Sequence, residues 1–211
     1  MQAVERPLLI GITGNIGSGK SSFIQFILQQ GYRVLFADTI AKQKLDDPDV
    51  KAILAKRWGD GILSDGAINH HKIAEIVFHH EHEREYLNSL IHPLVLKDFQ
   101  DIVATSQEQY LIFEIPLLFE AGLLACFDFI CLITASEENR IQRLKERNPH
   151  DLDNQIRRLK AQLPESQKLA LADLVIDNSG SLSELEAQAR DLCNMIRRIP
   201  RRDVKAFLPA H

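Results

Sequence analysis

Apolar positions along this chain switch repeatedly between an unbroken run and a helical spacing. Residues 8–13, Leu-Leu-Ile-Gly-Ile-Thr, are a short apolar run of the kind buried on both faces of a sheet. A turn dense in glycine follows, Gly14–Gly19. From Lys20 the stretch SSFIQFILQQ sets Phe23, Ile24, Phe26, Ile27 and Leu28 on one broad face, which predicts a helix packed on that sheet and stopped by Gly31. Residues 32–38 read as a second strand ending in Asp38. Strand, loop, helix and strand make a βαβ unit with parallel strands. Residues 39–60 read as helical with a break at Asp47-Pro48, and 59–69 are a turn cluster. The chain is then mainly helical to about 105, with Pro93 at a kink or a helix start. Further strands are predicted at 110–115, 128–134 and 174–177. Helices are predicted at about 137–147, 151–163 and 182–199, and the tail from Arg197 reads as surface and partly mobile.

Strands that alternate with helices and are apolar on both faces predict a three-layer α/β fold with a mainly parallel sheet. Within it, Gly14-Asn-Ile-Gly-Ser-Gly-Lys20-Ser21 matches the spacing GxxxxGK[ST]. Glycines let backbone approach phosphate oxygens closely, and the N–H groups at the start of the next helix attract anions. Lys20 reaches the β and γ phosphates, and the Ser21 hydroxyl suits Mg²⁺, a hard cation that prefers oxygen. Ser22 is expected at the nucleotide rather than on the metal. The motif follows a strand and opens a helix, so the fold is expected to be that of the P-loop nucleoside triphosphate hydrolases. Residues 1–59 and 106–211 are assigned to the core. Residues 60–105 form a helical insertion and about 137–165 a helical lid, both expected over the carboxyl ends of the strands, where such folds bind ligands.

Two carboxylates stand at strand ends. Asp38 is placed either to take the proton of an attacking hydroxyl or to cap the helix after it. Glu114, in an apolar strand, is costly unless paired or near an ion. Glu120 reads as surface or loop, and Asp177-Asn178-Ser179-Gly180 as a turn with a possible base contact. Arg140, Arg143 and Arg147 share roughly one face of a charged helix, and Arg157, Arg158 and Lys160 lie on the next; an arginine-rich hairpin can close over a phosphate site and exclude water. The histidines from His70 to His92 have no cysteine partner, and a zinc site is not expected. Trp58 reads as a core anchor of the insertion.

Composition narrows the class. The chain has 211 residues, 45% of them hydrophobic, and a formal charge of −4, which does not suit a general nucleic-acid binder. No apolar run approaches the ~20 residues of a membrane span. Three scattered cysteines suggest a reducing compartment, and the opening residues run straight into the loop motif, so no signal peptide is expected and a cytoplasmic location is.

Taken together, GITGNIGSGKS, ADTIAK (37–42), LNSLIHPLV (87–95), IPLLFE (115–120), IQRLKER (141–147), RLKAQ (158–162) and LADLVIDNSG (171–180) resemble, in order, the motifs of the dephospho-coenzyme A kinase family. The resemblance implies ATP and Mg²⁺, with the ribose 3′-hydroxyl of dephospho-CoA as acceptor, no membrane or nucleic-acid partner, and a monomer or weak homo-oligomer. It implies Asp38 as general base, with Lys20, Arg143 and Arg147 also in catalysis. The nucleotide would contact Asn15, Ile16, Gly17, Ser18, Gly19, Lys20, Ser21, Ser22 and Asn178. The acceptor would contact Thr13, Asp38, Lys42, His92, Pro93 and Leu117. The chain departs from the family pattern in Phe36, where aspartate is usual, in Lys42 and His70 for arginine, in Glu114 for aspartate, and in Asn15 for the second loop glycine. The rival readings are another small-molecule kinase and a nucleotide-dependent switch. No guanine-reading Asn-Lys-x-Asp element occurs in 121–180, against a GTP switch.

Overall fold

A computed structural model describes residues 6–149 and 152–208, without the side chains of Asp153 and Arg158. The chain divides into two compact units, one comprising the chain to Phe36 with Ser106–Ala206, the other Ala37–Thr105 with the chain from Phe207 on. The second unit therefore begins at residue 37, whereas the sequence reading divides the chain at 60.

The first unit is built on five parallel strands: β1 (Leu8–Gly14), β2 (Val34–Phe36), β5 (Tyr110–Glu114), β6 (Phe129–Thr134) and β7 (Leu174–Asp177), in the order β2-β5-β1-β6-β7. The unbroken apolar runs explain the parallel arrangement, since both faces are covered. Ile10, Ile12, Ile112, Ile133 and Ile176 point to one face, where α1 (Lys20–Gln29) and α9 (Leu182–Ile196) bury Phe23, Ile27, Leu185 and Leu192 against them. On the other face Phe113 and Phe127 meet edge to face at 5.5 Å. The chain leaves β1 toward β2 on one side and returns later to β6 on the other. The direction of winding thus reverses beside β1, and the carboxyl end of β1 lies at the crevice that such reversals open.

The tail is not loose. Asp128, fully buried at the amino end of β6, accepts both Arg6 guanidinium nitrogens (2.7 and 2.8 Å), the Leu9 amide (2.8 Å) and the Arg202 amide (2.7 Å). Arg202 also forks onto Asp173 at 3.1 and 2.6 Å, and the Lys205 amide donates to Ala125 O at 2.7 Å. Residues 202–205 are therefore fastened to the amino edge of the sheet, contrary to the mobility expected from their composition.

The remaining helices of this unit are α6 (Glu137–Arg147), α7 (Leu152–Ala161) and α8 (Glu165–Leu171). The sequence reading ends the second lid helix before Pro164 and has no counterpart to α8.

The second unit holds α2 (Ala37–Leu45), α3 (Pro48–Trp58), a hairpin of β3 (Leu63–Ser64) and β4 (Ala67–Ile68), α4 (His70–His79) and α5 (Glu81–Thr105). Asp47 caps α3 by accepting from the Asp49 amide at 3.0 Å, with Pro48 in the first turn, so the break read from Asp-Pro has its cause in capping. Pro93 lies inside α5 rather than at its start. Trp58 is held by Nε1–H donating to Glu83 at 2.7 Å and by an edge contact with Tyr86. Among the described residues no helix is long and apolar enough to cross a membrane.

Glu83 also accepts from Arg57 Nε at 2.6 Å. The Arg57 and Trp58 hydrogen bonds bring its carboxyl down from 4.5 to about 2. A folded value below the unfolded one means the stabilisation is complete above 4.5 and is lost as pH falls through about 2. An NMR titration of the Glu83 carboxyl is expected to give a midpoint near 2, and the Arg57→Ala variant a midpoint moved back toward 4.5; a wild-type midpoint at the ordinary value contradicts the pairing.

Candidate active site

The loop between β1 and α1 is shaped by its own backbone. The Ser18 amide donates to Asn15 O at 3.1 Å, and Gly19 stands at φ 82° as the N-cap of α1. Only glycine takes that conformation at little cost, and a Cβ there would run into Asn178 Nδ2. Among the described residues, the amides of Gly17, Gly19, Lys20 and Ser21 donate to no protein acceptor. Four free N–H groups with the positive end of α1 behind them form a cradle for an anion.

Lys20 lies beside this cradle and pairs with Glu114 at 3.1 Å, both side chains largely enclosed. Glu114 reaches it because it ends β5, in register with Ile12 on one side and Phe36 on the other. The partner that a charge in an apolar strand requires is thus the loop lysine. Ser21 and Ser22 are exposed, leaving the Ser21 hydroxyl open to an oxygen-seeking cation. Thr13 is buried, its hydroxyl donating to Pro116 O at 3.2 Å, and Leu117 is exposed.

Asn178, expected at the nucleotide, and Arg143, expected in catalysis, hold the loop itself. Asn178 Nδ2 donates to Ser18 O at 2.8 Å. Arg143 Nη2 donates to Asn178 O at 2.7 Å, while Nη1 reaches Gly17 O and Ser18 O at 3.4 Å. The arginine fork therefore ties the loop carbonyls to the turn after β7. Ser136 caps α6, and its amide donates to Ser179 Oγ at 2.9 Å, which fixes the same turn to α6. Arg147 is exposed at the far end of α6. The side chain of Arg158 lies outside the described residues.

A second group of loop contacts was not anticipated from the sequence. Gln162 Oε1 accepts from the Ile16 amide at 3.1 Å, and Arg140 pairs with Glu165 at 2.5 Å. Glu120, read as surface or loop, lies in the turn after β5, where it pairs with Lys168 at 2.8 Å and accepts from the Leu163 amide at 3.0 Å. No sequence signal marked this pairing: Lys168 is buried while the apolar Leu169 and Leu171 beside it are exposed.

In the second unit Asp38 is exposed in the first turn of α2, where the helix start favours a carboxylate. The strand ends at Phe36 and the helix begins at once, so Asp38 neither ends a strand nor precedes the helix. Lys42 is exposed one turn on, and His92 and Pro93 lie in α5.

Alanine at Gly19 combines the positive-φ cost with the Asn178 collision, whereas alanine at Gly31, at φ 83°, meets nothing within 4 Å. Gly19→Ala is expected to weaken ATP binding at least about tenfold by calorimetry, on the scale of misplaced positioning groups. Gly31→Ala, with a similar backbone cost, is expected to leave ATP binding within about twofold. Equal effects of the two contradict the cradle.

The family model for dephospho-CoA kinase matches residues 8–184. A dephospho-CoA kinase of Bacillus licheniformis is 39% identical over 191 residues, covering 88% of this chain and 94% of that protein. One of Synechocystis sp. is 38% identical over 188 residues, covering 87% and 93%. A solved structure of dephospho-CoA kinase from Campylobacter jejuni superposes with a TM-score of 0.67 at 24% identity, over 90% of this chain and 97% of that one, and so agrees in fold. With the phosphate loop, the sheet order and these matches in hand, the chain belongs to the dephospho-CoA kinase family.

Proposed function

We propose that this chain transfers the γ-phosphoryl group of ATP to the ribose 3′-hydroxyl of dephospho-CoA, giving coenzyme A and ADP. The observation that carries the donor half is the set of four free amides before and within the first turn of α1, beside Lys20. The acceptor half rests on family membership.

In this reading the amides of the loop bind the phosphates, and Lys20 exchanges Glu114 for phosphate oxygens as charge moves toward the leaving group. The exposed Ser21 hydroxyl, with Glu114 at the neighbouring strand end, offers the hard oxygen donors that magnesium takes. When bound, magnesium would offset negative charge on the β and γ oxygens. Asp38, two residues beyond the end of β2, accepts the proton of the attacking hydroxyl. Thr13, Lys42, His92, Pro93 and Leu117 are the acceptor-binding residues of this reading, with His92 and Pro93 in the insertion. Arg143 steadies the loop through its carbonyls, and Arg147 belongs to the lid. The three cysteines are free thiols, in keeping with a reducing, cytoplasmic setting.

Purified protein given ATP, a magnesium salt and dephospho-CoA is expected to form a product one phosphate heavier, read by mass spectrometry. ATP turnover without that product contradicts the acceptor assignment. Asp38→Asn is expected to lower turnover by about 10²–10⁴ with ATP affinity unchanged; near-wild-type turnover removes Asp38 from the role of base.

A further inference from the structure

Lys168 is fully buried, its ammonium taken out of water in the second turn of α8. A buried ammonium is tolerated only where acceptors surround it. Two do: Nζ donates to Asn15 Oδ1 at 2.7 Å and pairs with Glu120 Oε1 at 2.8 Å. Burial pushes the Glu120 carboxyl up, but Lys168 and the amides of Glu120 and Leu163 outweigh it and hold it below its ordinary value. Glu120 therefore stays charged at neutral pH and keeps the ammonium in place.

Asn15 is the first residue of the phosphate loop, at the position where the resemblance leads one to expect glycine. Both ends of its side-chain amide are used. Oδ1 accepts from Lys168, and Nδ2 donates to Glu165 at 3.3 Å, which in turn holds Arg140. One residue on, the Ile16 amide is held by Gln162. Gln162, Glu165 and Lys168 recur at intervals of three, and all three grip the same corner of the loop. That corner directs the backbone into Gly17–Ser21, and Asn15 O itself accepts the Ser18 amide that closes the turn. A glycine at position 15 offers no side chain to Lys168.

We infer that Lys168 is a positioning residue which, through the side chain of Asn15, holds the phosphate loop in its ATP-binding shape, so that in this chain the segment 162–168 sets nucleotide affinity without touching the nucleotide. The inference rests on the reading of the loop as an ATP site. Asn15 is not at positive φ, so alanine is compatible with its backbone. Asn15→Ala removes the tie while leaving the Lys168–Glu120 and Arg140–Glu165 pairs in place.

The test is a double-mutant cycle on ATP affinity, measured by calorimetry without acceptor, using wild type, Asn15→Ala, Lys168→Met and the double variant. Each single variant is expected to bind ATP about tenfold or more weakly, on the scale of a misplaced positioning group. The double variant is expected to be no weaker than Lys168→Met alone, and the KM for dephospho-CoA of Asn15→Ala to stay within about twofold of wild type. Wild-type ATP affinity in Asn15→Ala, or additive losses in the double variant, overturns the inference. Should Lys168→Met not fold, Asn15→Ala decides it: its ATP affinity must fall and exchange of the hydrogen-bonded Ile16 and Ser18 amides must quicken, and either remaining unchanged overturns the inference. Failure of the wild type to bind ATP overturns the reading of the loop instead, which separates the two claims.

Discussion

Among the described residues, the backbone N–H groups of Gly17, Gly19, Lys20 and Ser21 have no protein acceptor, and they are the constraint around which the phosphate loop is arranged. Amides without a protein acceptor must find one elsewhere, and at an open helix start water or a bound anion supplies it. Much of the surrounding structure maintains this condition. The order β2-β5-β1-β6-β7 opens a crevice beyond the end of β1. The loop carbonyls of Gly17 and Ser18 are taken by Arg143 and Asn178. Holding the carbonyls fixes the peptide planes, and fixed planes aim the amides. Preorganisation of this kind removes the reorganisation that flexible donors would undergo when charge arrives.

The site's electrostatics follow the same logic. Lys20 is largely enclosed and is held in place by Glu114 from the neighbouring strand. Lys168 is kept by Glu120, and Arg140 by Glu165. These three cations near the loop thus have carboxylate partners, as a low-dielectric setting demands. Arg143 differs: its fork is spent on backbone carbonyls, a use that its planar donor geometry suits.

Spacing made the loop and the βαβ unit legible, because glycine, lysine and serine there answer to local backbone needs. The order of strands along the chain was legible for the same reason, through unbroken apolar runs. What escaped reading depends on long-range contacts. Glu120 looks like a loop carboxylate until Lys168, far along the chain, is brought to it. Helix α8 follows Pro164 and is seven residues long, too short for periodicity to stand out. Asp38 was read at a strand end, yet a helix starts at Ala37, leaving β2 only three residues. The tail after Arg197 is rich in arginine and looks solvated, but Asp128 and Asp173 are placed to take Arg202. For Glu120 and Arg202 a charged residue was read by its own character, whereas its partner decided its position.

The most direct measurement of the central claim is a nitrogen–proton correlation spectrum of the free protein titrated with ATP and magnesium. The amide protons of Gly17, Gly19, Lys20 and Ser21 should move downfield together, as hydrogen bonds to phosphate oxygens form, and by more than amides elsewhere in the chain. Saturation with ATP while those four signals hold their positions, with the large shifts arising at another part of the molecule, would contradict the account.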